Sequence, residues 1–68
     1  MNEDNLNIEI RRFLKKVGIA SQREIEKEIY NAEKSGSLKT GDEVELEMTL
    51  SIKNFNSEKT ISGKILIE

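Results

Sequence analysis

The chain of 68 residues contains no cysteine. Disulfides and thiolate metal sites are therefore excluded. Histidine is also absent, which removes the commonest metal ligand and the usual general base at neutral pH. No run of apolar residues approaches the roughly 18 needed for a membrane helix. The start, "MNEDNLNIE", is acidic and polar, whereas a secretory signal needs a basic start and an apolar stretch. These features point to a cytoplasmic protein. Charge is also nearly balanced, with 11 basic against 13 acidic residues and a net charge of -2. That balance gives no strong overall attraction to nucleic acid or anionic membrane.

Length sets a further bound. One domain spanning residues 1–68 is the most such a chain holds. It buries only about 60% of the surface its unfolded form exposes. Small folds commonly add a disulfide, a metal or a partner subunit. With the first excluded and metal ligands scarce, self-association is the expected staple.

Leu6, Ile10, Phe13, Leu14 and Val17 recur at helical spacing. Glu3 and Asp4 sit near the start of that stretch. Arg11, Arg12, Lys15 and Lys16 lie toward its end, and both placements suit the helix dipole. Gly18 is the expected stop, since glycine takes positive φ without strain. Phe13 is the expected core anchor. Ser21 and Glu24 then read as a capping box that opens a second helix. Ile25, Ile29 and Ala32 mark its buried stripe, and "KSGS" ends it at Gly36.

Residues 43–53, "EVELEMTLSIK", alternate apolar and polar without a break. Val44, Leu46, Met48, Leu50 and Ile52 are expected inside; Glu43, Glu45 and Glu47 are expected outside. Residues 59–68 repeat the pattern, and "NFNS" between the strands is a turn signal. A loop over residues 54–57 pairs Leu50 with Ile61, Leu46 with Ile65 and Val44 with Ile67. It sets Glu47 opposite Lys64 and Gly63 opposite Met48. A slip by one residue mixes the faces and is disfavoured. The expected fold is α+β in the order ααββ, with two N-terminal helices packed on one face of a C-terminal antiparallel hairpin.

No sequence motif carries catalysis. There is no glycine-rich phosphate loop, nucleophile elbow or zinc spacing, so the chain reads as a non-enzyme with no cofactor. The corner between the helices resembles a helix–turn–helix, but Glu24, Glu26, Glu28 and Glu33 suit phosphate poorly. It reads better as a packing corner. Arg11, Arg12, Lys15 and Lys16 form the best electrostatic patch. The bland reading is a solvated helix face, and no aromatic residues interleave with the patch to stack bases. The glutamate row reads as a solvated, edge-protecting charge row rather than a cation site.

"MNEDN", "RRFLKKVGIASQREIEKEI" and a strand opening "MTLSI" together resemble a small family of bacterial proteins of similar length, a domain of unknown function. The resemblance implies a stand-alone bacterial protein and supplies no catalytic or binding motif. The favoured expectation is a structural or interaction module that forms a homodimer through the hairpin. Its contact is edge pairing or packing around Leu66, which falls on the polar face of the last strand. The alternative is a weak nucleic-acid-binding or regulatory protein using Arg11, Arg12, Lys15 and Lys16 with Arg23 and Lys27.

Overall fold

The computed structural model describes residues 1–68, which form two compact units, Met1–Ser37 and Leu38–Glu68. The first unit is a single 32-residue helix, α1 (Glu3–Lys34). The two expected helices are therefore one, and neither the stop at Gly18 nor the corner at Ser21 exists. Three physical facts account for this. Proline, the residue that breaks a helix interior outright, is absent. An interior glycine costs only about 1 kcal/mol relative to alanine, too little to end a helix alone. The stripe also runs on without a change of phase: Leu14, Val17, Ser21, Ile25, Ile29 and Ala32 follow at steps of three or four. Ser21 lies within that stripe and is half-buried.

Asn2 is the true N-cap. Its side-chain oxygen accepts from the Asn5 amide at 3.0 Å, satisfying one of the donors that a helix start leaves unpaired. Glu3 and Asp4 favour the same end electrostatically. At the other end the chain adopts a Schellman arrangement. The Ser37 amide donates to the Ala32 carbonyl at 2.9 Å, and the Gly36 amide donates to the Glu33 carbonyl at 3.1 Å. Gly36 has φ of 80°, the left-handed conformation that this cap requires.

The second unit is an antiparallel hairpin of β1 (Glu43–Ile52) and β2 (Ser57–Leu66). Its face assignment follows the sequence, but the register is two residues away from the expected one. Leu50 pairs with Lys59, Met48 with Ile61, Leu46 with Gly63 and Val44 with Ile65. Lys64 lies opposite Glu45 rather than Glu47, and Leu66 lies opposite Glu43. The loop explains the shift. Lys53–Phe55 form one turn of 3-10 helix, and Asn56 closes it at φ 50° in the left-handed region. Asn tolerates that region because its short amide side chain hydrogen-bonds locally. The loop thus starts and ends one residue earlier than expected, and both strands keep their facing parity. Thr49 and Thr60 share a cross-strand hydroxyl contact at 3.1 Å. Past the strand ends, the Ile67 amide donates to the Asp42 carbonyl and the Gly41 amide donates to the Ile67 carbonyl.

Within each unit no side chain is buried. Phe13, the expected anchor, is 53% exposed. Glu43, Glu45 and Glu47 are exposed as expected, but on the opposite face only Val44 and Leu46 of β1 reach half-burial. Met48, Leu50 and Ile52 remain exposed.

Candidate interaction surfaces

Residues that a corner would separate share one helix. Residues 11–23, "RRFLKKVGIASQR", carry five cations and no acid. On a continuous helix Arg12, Lys16, Arg23 and Lys27 follow at steps of four, seven and four, which keeps them on one side. Arg12, Lys15, Lys16 and Arg23 line a shallow open groove with Ile19 and Ala20. Arg11 does not line it. Ile19 is 45% exposed at the middle of this basic ring. Of these charges Arg12 alone holds an ion pair, with Glu9 one turn back at 2.8 Å. That pair is exposed and contributes at most about 0.5 kcal/mol. The other four remain available to an outside anion.

Sequence reasoning found the cations but not their centre. Ile19 reads as a corner residue if the helix stops at Gly18. The signal that recovers it is the unbroken spacing on both sides of Gly18. Ile8, Ile19 and Tyr30, each eleven residues apart, repeat after three helical turns and so fall on one line, and all three are exposed.

Leu66, the remaining expected contact residue, belongs to the hairpin unit. It is 55% exposed on the outer face, opposite Glu43 and beside the row Glu43, Glu45 and Glu47. A shallow depression elsewhere on the hairpin is lined by Glu45, Glu47, Ser62, Gly63 and Lys64 with Leu46; Leu66 does not line it. Ser62, opposite Glu47, brings only a small side chain to the outer face, whereas Gly63, paired with Leu46, lies on the apolar face. Phe55 projects at the loop end of the hairpin, 77% exposed and away from Leu66. The leftover apolar groups are thus exposed, but those two do not merge into one patch.

No group of three or more His, Cys, Asp or Glu side chains is arranged to hold a metal ion. No helix is long and apolar enough to cross a membrane. What the two units offer chemically is surface: apolar stripes, a basic ring around Ile19 and an acidic row beside Leu66.

The chain matches the family model described as "Family of unknown function (DUF6494)" over residues 1–68, and it belongs to that family. No curated protein and no solved structure matches it.

Proposed function

We propose that this member of the family is a non-catalytic structural or interaction module that works as a homodimer formed through the hairpin. The observation that carries this reading is the exposure of apolar side chains in each unit, Phe13, Leu14 and Ile19 on the helix and Leu66 on the hairpin. A lone helix is marginal in water because nucleation is costly. A two-stranded hairpin is marginal because one layer buries little. A folded state with this much apolar surface gains most from a second chain. The hairpin also has two open edges, and open edges accept another strand. Lys59, Lys64 and the glutamate row oppose pairing at those edges, which favours packing around Leu66 over edge addition. The cytoplasm is the compartment this reading places it in. Sedimentation equilibrium over a wide concentration range is the test. A dimer is expected, and a strict monomer at high micromolar concentration refutes it.

One observation favours a second reading. The acid-free segment 11–23 presents Arg12, Lys16 and Arg23, with Lys27 beyond them, on one side of α1, as a weak binder of nucleic-acid backbone would. The chain's net charge of -2 opposes it. A salt-dependent titration with duplex DNA and single-stranded RNA separates the two readings.

A further inference from the structure

Five of the chain's 11 basic residues lie in the stretch 11–23, which holds none of its 13 acidic ones. The outer face of the hairpin carries the opposite charge, in Glu43, Glu45 and Glu47 on β1. Each surface has an exposed apolar residue within it: Ile19 at 45% in the basic ring and Leu66 at 55% beside the acidic row. We infer that the two surfaces are complementary, and that the Ile19 ring of one copy docks on the Leu66 face of a second copy. This rests on the self-association reading and names what covers Leu66.

Spacing supports the match. Alternate residues of a strand lie about 7 Å apart, so the three glutamates span about 14 Å. Arg12, Lys16 and Arg23 span about 16 Å of helix axis at 1.5 Å per residue. Lys15 flanks that row within the same groove. Ser62, opposite Glu47 on the same face, carries only a small side chain and gives a helix ridge room to approach beside the glutamates. The apolar centres exclude water from the surrounding charge pairs, which raises their contribution over that of isolated surface pairs. Lys64 lies opposite Glu45 and weakens the acidic field without reversing it. Glu58, near the loop end of the same face, adds to that field. Because the contact joins unlike surfaces, every copy offers both halves, and the assembly closes where the rotation between copies allows, a pair being its smallest closed form.

The test uses the full chain and charge reversal. One variant carries Lys16→Glu and Arg23→Glu; the other carries Glu45→Lys and Glu47→Lys. All four side chains are exposed, and far-UV circular dichroism checks that helix and hairpin persist. Each variant alone is expected to self-associate at least about tenfold more weakly than the natural chain. An equimolar mixture is expected to regain the natural affinity, because both contacts then join opposite charges. Where a reversal unfolds the chain, Arg23→Gln and Glu45→Gln take its place. The readout is then a flatter salt dependence of the dissociation constant.

A natural chain that stays monomeric at all concentrations overturns this inference together with the self-association reading. Natural association that neither reversal weakens overturns this inference alone. Loss of duplex-DNA binding in the Lys16→Glu, Arg23→Glu variant with unchanged self-association assigns the basic ring to nucleic acid and also overturns it.

Discussion

Gly18 and Ser21 are where local sequence signals and the fold part company. Gly18 sits inside α1, and a Cβ built there meets nothing within 4 Å. Gly18→Ala should therefore stabilise the chain by about 0.5–1 kcal/mol, read as a higher urea midpoint. A lower midpoint would mean that residue 18 needs positive φ and that the chain turns there. Ser21→Ala belongs to the same test. As an N-cap, Ser21 would cost about 1 kcal/mol on removal, whereas inside a helix the change is neutral to favourable. The expensive cap is at Asn2, where Asn2→Ala should cost about 1 kcal/mol. An unchanged midpoint there would remove Asn2 from the cap. Both misleading signals were legible for a simple reason. A glycine followed by Ser-x-x-Glu suits a corner, but Ser and Glu three apart also sit easily side by side within one helix. Only the uninterrupted phase from Leu14 to Ile29 separates the two, and phase is a property of a longer window than a cap.

At the scale of elements, the hairpin was legible in its faces and not in its register. Alternation in "EVELEMTLSI" fixes which residues share a face, because a strand has a period of two. Any slip by two residues preserves that alternation, so the pattern cannot separate the observed pairing from the expected one. The loop decides, through Asn56 at φ 50°. Asn56→Gly should be tolerated or stabilising, and Asn56→Val should cost about 1–2 kcal/mol in the same denaturation assay. Equal effects would place the left-handed residue elsewhere in the loop. The register has a chemical check as well. Leu46 faces Gly63 across the ladder, so cysteines at 46 and 63 should form an intramolecular disulfide readily. A pair at 48 and 63, opposite in the expected register, should not. Preferred closure of the second pair would restore the two-residue shift. The end of α1 was read correctly, at Gly36, because there the positive φ coincides with an end to the apolar stripe.

For the whole molecule, length and composition announced a shortage of core, and neither unit buries a side chain within itself. The cations and Leu66 were visible in sequence, but the ring around Ile19 was not, since it exists only on a continuous helix. The central claim is the proposed self-association, which would stabilise the folded state of this chain. Mass action then makes thermal stability depend on protein concentration, because the folded state is favoured by its partner. The direct measurement is the thermal midpoint by far-UV circular dichroism over about a hundredfold range of concentration. The account predicts a midpoint that rises steadily with concentration. A sharp, cooperative transition at the same temperature throughout would show a chain that folds fully alone, and would contradict it.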